Sequence, residues 1–286
     1  MFAHGTFRLR RSLDAAVAEV RGASDAPAVL LVHGANASGV AWPDSLVGRL
    51  AECLGVIRYD HRDTGRSTWR FDEEPYALTA LAGDAVAVLD AFEVERAHVV
   101  GLSLGGLLTQ LLLLDVPDRV ASASLLCTGP LAGVPGQPDA PGPREDLLAV
   151  WATMGEPRDA QQEADWLREH ARLLNGSVLP FDEQEAAALQ ARVDAHTGDR
   201  TSTYAHARAD QSGLDRGAEL SRVRTPVLVL EAPEDPAFPP PNAELLAAAI
   251  PGARRQVVHG MGHAIPAAVQ PALAQAILDH VAQARP

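Results

Sequence analysis

The chain has 286 residues, enough for one large domain or for a core that carries an insert. Its hydrophobic fraction of 47% supports a substantial buried core. The formal net charge of −13 argues against a nucleic-acid surface and against an anionic membrane as partner.

In chain order, the first 27 residues read as two short strands, Thr6 to Arg10 and Ala15 to Val20. Ala28 to Val32 is a continuous apolar run ending at His33-Gly34, the pattern of a strand buried on both faces. Leu46 to Cys53 reads as helix, Gly55 to Asp60 as strand, and Leu78 to Phe92 as a long amphipathic helix. A strand over Ala97 to Val100, a helix from near Gly106 and a strand over Ala121 to Cys127 follow. Strands alternating with helices predict an α/β fold, with a mostly parallel sheet covered on both faces.

The pattern then changes. Gly129 to Pro143 is a linker by its Gly and Pro content. Asp146 to Met154, Gln161 to Leu174 and Asp182 to His196 read as helices with no strand among them. The α/β pattern resumes with a strand at Pro226 to Leu230, a helix at Ala243 to Ile250, a short strand at Arg255 to Val258 and a closing helix at Gln270 to Ala284. The division expected is a core of residues 1–130 and 216–286, interrupted by a helical cap of residues 131–215.

Cys53 and Cys127 are the only cysteines, and their apolar neighbours predict buried free thiols in a reducing compartment. The N-terminal segment is rich in charge, and the leucine run at Leu111 to Leu114 is far too short to span a bilayer. The expectation is a soluble, cytoplasmic protein.

Gly101-Leu102-Ser103-Leu104-Gly105 sits between the predicted strand and helix, the setting of a nucleophile elbow. The pentapeptide alone also fits an ordinary loop, so a base, an acid and an oxyanion hole must agree with it. His263, just past Gly260-Met261-Gly262 on the loop after the last strand, is the candidate base, with His259 as competitor. The two histidines are four apart, but Gly260 and Gly262 argue against a helix that would pair them on a metal. Asp235, after the Pro226 to Leu230 strand, is the candidate acid, and Glu231 and Glu234 are its rivals. The backbone N–H groups of Leu104 and of Ala35, in His33-Gly34-Ala35-Asn36, are the candidate oxyanion donors. Nucleophile, acid and base stand in the order Ser, Asp, His.

On these residues the chain resembles the α/β-hydrolase superfamily over nearly its whole length. More narrowly it is similar to the methylesterases of anthracycline biosynthesis, the aclacinomycin methylesterase group. That likeness rests on Gly34-Ala35-Asn36 with Trp42-Pro43, on Val56 to Ser67, on His98 to Ser103 and on Gly262-His263-Ala264. Pro180-Phe181-Asp182 and Tyr204-Ala205-His206 in the insert add to it. The resemblance implies a Ser103–Asp235–His263 triad, Ala35 and Leu104 as oxyanion donors, no metal and no organic cofactor. It also implies a small hydrophobic ester as substrate, in antibiotic biosynthesis.

Carboxylic-ester hydrolysis is therefore the leading expectation, with the methyl ester of an aromatic polyketide as the specific one. Thioester or lactone cleavage, or acyl transfer, would use the same triad. A non-catalytic small-molecule binding protein with an idle triad is the reading from another class. Trp151, Trp166, Phe181 and Tyr204 of the insert, with Trp42 and Trp69 of the core loops, are candidates for stacking on a flat substrate or for ordinary packing.

Overall fold

The computed structural model describes residues 7–8, 17–23 and 26–284. In chain order these form β1 (Phe7–Arg8), β2 (Val17–Arg21), β3 (Ala28–Val32), α1 (Asp44–Ala51), β4 (Gly55–Tyr59) and α2 (Ala80–Ala91). Next come β5 (Ala97–Leu102), α3 (Leu104–Asp115) and β6 (Val120–Leu126). Four helices follow: α4 (Glu145–Ala152), α5 (Ala160–Asn175), α6 (Glu183–Thr197) and α7 (Ala205–Arg208). The chain closes with β7 (Val227–Glu231), α8 (Asn242–Ala249), β8 (Arg254–Val257) and α9 (Gln270–Gln283). The ends of the two N-terminal strands expected from sequence, residues 6, 9–10 and 15–16, lie outside the described residues.

Among the described residues the strands form one eight-stranded sheet in the order β1-β2-β4-β3-β5-β6-β7-β8. β2 pairs antiparallel with both β1 and β4. Every pair from β4 across to β8 is parallel. Period-two alternation decides which helices each strand meets. Leu30, Val32, Val99, Leu125 and Val229 face α2, α3 and α8, where Leu81, Val88, Leu108, Leu111 and Leu246 are buried. Val29, Leu31, Val100, Leu126 and Leu230 face α1 and α9, where Leu46, Leu50, Leu273 and Ile277 are buried. With apolar layers on both sides, the central strands need the uninterrupted apolar runs seen in the sequence.

Parallel strands bring their C-terminal ends to one edge of the sheet. The loops after β3, β5, β7 and β8 therefore meet there, where α/β sheets present ligand sites. Between β6 and β7 the chain leaves the sheet for α4 to α7. α6 buries none of its residues fully, and polar contacts hold it to the core. Arg192 donates to the Trp42 carbonyl at 3.2 Å and pairs with Asp44, and Glu185 accepts from the Ala267 N–H at 2.8 Å.

Two expectations change. α3 begins at Leu104 rather than near Gly106, because a single residue, Ser103, makes the whole turn out of β5. Cys127 is buried as expected, whereas Cys53 is exposed. α1 ends at Ala51, so Cys53 stands in the turn beyond it and leaves the apolar face that Leu46, Val47 and Leu50 occupy.

Candidate active site

Ser103 has φ 57° and ψ −121°, a conformation that side chains disfavour and that is kept only where the surroundings force it. The surroundings are three glycines. A Cβ at Gly101 would lie 2.4 Å from the Gly105 carbonyl oxygen, one at Gly105 would lie 2.0 Å from that of Val32, and one at Gly106 would lie 2.5 Å from Thr128 Cγ2. Strand β5, helix α3 and strand β3 thus approach more closely than any other residue type permits. The Ser103 N–H donates to the Leu126 carbonyl at 3.0 Å, which fastens the turn to β6. Gly34 passes close beside it, since a Cβ there would be 3.5 Å from Ser103 Oγ.

His263 Nδ1 lies 2.9 Å and 3.0 Å from the two carboxylate oxygens of Asp235. A carboxylate only accepts here, so the proton sits on Nδ1 and leaves the Nε2 lone pair free to take a proton. Asp235 is 2% exposed. Burial works against its charge, but the His263 ring and the N–H groups of Phe238 and Ala237 outweigh it and hold the carboxyl below its usual range. Those N–H groups donate to Oδ1 at 3.0 Å and 2.8 Å. Phe238 also stacks on the His263 ring, 15° from parallel at 6.1 Å.

The rival acids point elsewhere. Glu231 is paired with Arg255, and Glu234 accepts from Ser177 Oγ at 2.6 Å. His259 is exposed in the turn before Gly260. The His263 loop rests on the end of α5: the Leu174 carbonyl accepts from the N–H groups of both His263 and Ala264, at 2.7 and 2.9 Å. That carbonyl is one of the four that a helix C-terminus leaves without an intrahelical donor.

Cys127 follows Leu126 directly, and its Sγ lies within 4.8 Å of the Asp235 and His263 ligand atoms. The Asp235 carboxylate accepts from three donors, His263 Nδ1 and the Ala237 and Phe238 N–H groups. Burial, and then the Asp235 charge, push the Cys127 thiol well above its ordinary range. A cavity of about 10 Å³, room for one water, adjoins Cys127, Asp235 and Phe238.

Ala35, in the loop after β3, and Leu104, at the start of α3, are the expected oxyanion donors. Leu104 is the first residue of α3, so its N–H has no intrahelical acceptor. Ala35 lies in the turn after β3, and no described residue accepts from its N–H. The turn is braced from behind. The Gly34 N–H donates to His33 Nδ1 at 2.7 Å, and His61 Nε2 lies 3.0 Å from the His33 carbonyl.

The Asp60 to Ser67 stretch is scaffolding for this region. Asp60 accepts from the N–H groups of Gly39 and Arg66, at 2.8 and 2.9 Å, and pairs with His196 of α6 at 2.7 Å. Ser67 bridges the Asp60 carbonyl to the Val17 N–H. None of these contacts reads a substrate.

The profile of the alpha/beta hydrolase fold matches residues 27–266. The chain belongs to the α/β-hydrolase family. This hydrolase is 43% identical to rhodomycin D methylesterase DauP of Streptomyces sp. strain C5 over 272 residues, covering 90% of its own chain and 91% of the relative's. It is 32% identical to the putative carbamate hydrolase RutD of Variovorax paradoxus, covering 93% and 95%. In structure it is similar to a hydrolase from Pseudomonas aeruginosa PA01, with a TM-score of 0.73 at 27% identity over 98% and 99% of the two chains.

In this hydrolase the aromatic candidates separate. Trp42 is fully buried against His33 in the core. Trp69 donates to the Gly65 carbonyl under Arg200. Trp151, Trp166 and Tyr204 join around His170: Trp166 stacks on that ring at 5.2 Å, and Trp151 Nε1 donates to its Nε2 at 3.1 Å. Trp151 and Phe238 both pack against the small core of Leu147, Leu173 and Ala237, and Phe238 stacks on His263. Phe238, Cys127, Leu174 and His206 were not singled out for the site from sequence. Each acts through a contact between distant segments, and no local motif marks such a contact.

Proposed function

We propose that this hydrolase cleaves the methyl ester of an aromatic polyketide through an acyl-enzyme on Ser103, with residues 131–215 as a cap over the site. The observation that carries the reading is the Asp235–His263 pair, hydrogen-bonded through Nδ1, on loops at the same edge of the sheet as a serine held at positive φ. In this reading His263 Nε2 takes the Ser103 hydroxyl proton as Oγ attacks the ester carbonyl. The oxyanion is held by the N–H groups of Ala35 and Leu104. His263 returns the proton to the departing methoxide, methanol leaves, and water activated by the same ring cleaves the acyl-enzyme to a free carboxylate. The N-terminus of α3, at Leu104, adds a favourable dipole for the negative oxygen.

Two observations support the substrate. The relative that is 43% identical over 90% of the chain carries the name rhodomycin D methylesterase. Trp166, His170 and Trp151 cluster in the insert, and Phe238, which packs on the same small core as Trp151, stacks on His263, giving a planar ring system aromatic faces to lie against.

The test is turnover of rhodomycin D and of its free acid, followed by mass spectrometry. One methanol released per carboxylate formed is expected, with Ser103→Ala reducing kcat on the order of 10⁶-fold. Turnover retained in Ser103→Ala overturns the nucleophile. An active wild type that leaves the methyl ester intact but opens lactones or thioesters overturns the substrate.

A further inference from the structure

Three histidines gather behind the Ala35 turn, and the mechanism above uses none of them. His206 belongs to the insert, on α7, and is 2% exposed. Its backbone N–H donates to Asn36 Oδ1 at 3.1 Å, and its Nδ1 accepts from the Asn36 N–H at 2.8 Å. This two-bond clasp joins residues 170 positions apart in the chain. The ring's other nitrogen, Nε2, lies 3.0 Å from the Arg62 carbonyl.

These partners fix the state of the ring. An amide N–H only donates and a carbonyl only accepts, so the imidazole is neutral with its proton on Nε2. Burial, and then the nearby His61, lower its pKa to about 3, so this state persists at neutral pH. His61 Nε2 lies against the His33 carbonyl, and its ring is edge-on to His206 at 5.6 Å.

Ala35 is thus bracketed. His61 holds the residue two before it, and His206 holds the residue after it. Asn36 itself has φ 57°, a left-handed conformation that its amide contacts must sustain. α7 is anchored in turn, because the Leu78 N–H donates to the Asp210 carbonyl at 2.8 Å and Arg208 pairs with Asp72.

We propose that His206 is a positioning residue: from the insert, its clasp on Asn36 sets the direction of the Ala35 N–H in the oxyanion hole. The inference rests on the reading of Ala35 as an oxyanion donor. It makes the insert part of the catalytic frame as well as a cover over it.

Two near-isosteric variants divide the ring's contacts. His206→Asn keeps an acceptor at the place of Nδ1 and loses the donor to Arg62. His206→Gln keeps a donor at the place of Nε2 and loses the acceptor for Asn36. The expected result is a roughly 10- to 100-fold fall in kcat for His206→Gln with KM little changed, below the 10²–10³ for removing a donor outright. His206→Asn should stay within about threefold of wild type, on the general scale of a retained hydrogen bond. Wild-type kcat in His206→Gln, or equal losses in the two variants, overturns the proposal.

Asn36→Gly removes the Oδ1 acceptor of the His206 N–H, one of the clasp's two bonds, and serves if the His206 variants do not fold. A several-fold fall in kcat at constant KM is expected, and wild-type kcat overturns the proposal. Labelling of wild-type Ser103 by a phosphonate, run alongside, separates the two levels. A labelled, active wild type with unaffected variants refutes the role of His206 alone. An unlabelled wild type whose Ser103→Ala variant still turns over refutes the underlying mechanism.

Discussion

Asp235 fixes which nitrogen of His263 carries the proton, and this is where a single atom decides activity. In Asp235→Asn the amide NH₂ can replace the carboxylate oxygen facing Nδ1, and the Ala237 and Phe238 N–H groups, both donating to Oδ1, favour that orientation. The ring then places its proton on Nε2 and cannot accept one from Ser103. Loss of kcat on the order of 10⁴-fold is expected, by the precedent of other Ser–His–Asp sites, with KM and melting temperature nearly unchanged. Steady-state kinetics beside a thermal melt check it, and kcat within tenfold of wild type would remove Asp235 from the triad. Cys127 gives a milder case. Its thiol is buried beside the acid, so Cys127→Ser, which places a more polar group there, should alter the acid limb of the pH–rate profile more than the maximal rate. A profile that superimposes on the wild type would assign Cys127 to packing alone.

At the scale of elements, the end of α5 approaches the His263 loop closely, insert against core. A Cβ at Gly262 would lie 2.5 Å from the carbonyl oxygens of both Leu174 and Asn175. Both are backbone atoms, so the loop and the helix end must part. Gly262→Ala should then weaken the hydrogen bonds from the His263 and Ala264 N–H groups to Leu174. A fall in kcat of roughly 10- to 100-fold is expected, the cost typical of a reacting group displaced by about 1 Å. Kinetics near wild type would mean that the insert does not hold the base.

How far such elements are legible in sequence follows from their physics. β3, β5, β6 and β7 announce themselves, because a strand covered on both faces is apolar at most positions, and where β5 and β6 break the rule His98 and Ser122 hydrogen-bond each other. α5 shows its stripe and its capping box at Asp159 and Gln162. α7 does not, since four residues hold no helical period. Ser103 is legible because its glycines stand beside it in the chain. The choice of Asp235 over Glu231 and Glu234 rests on which of three near neighbours reaches His263, 28 positions further on, and only the fold decides that.

Over the whole molecule, the buried histidines tie stability to pH. Burial, and then the neighbouring His61, lower His33 and His206 to about 3, and burial followed by the His263 charge lowers His170 to about 4. In the unfolded chain each titrates near 6.5. Below that value the unfolded state binds protons that the native state refuses, so stability falls with falling pH until the folded pKa is reached. Each such histidine contributes about 1.4 kcal/mol per pH unit within its window. Asp235, also lowered, acts in the same direction at the acid end, because its stabilising charge is lost on protonation. Urea midpoints should therefore decline from pH 7 to pH 5 at constant m-value. His206→Gln, which has nothing to titrate at that position, should flatten the decline by close to one proton. The unresponsive alternative, midpoints equal at pH 7 and pH 5, would mean that these rings are not held neutral inside the fold. His33 and His206 also brace the Ala35 turn, so activity should fail in acid no later than the fold does, with the loss of kcat tracking the fraction of chain that has taken up protons at those two rings.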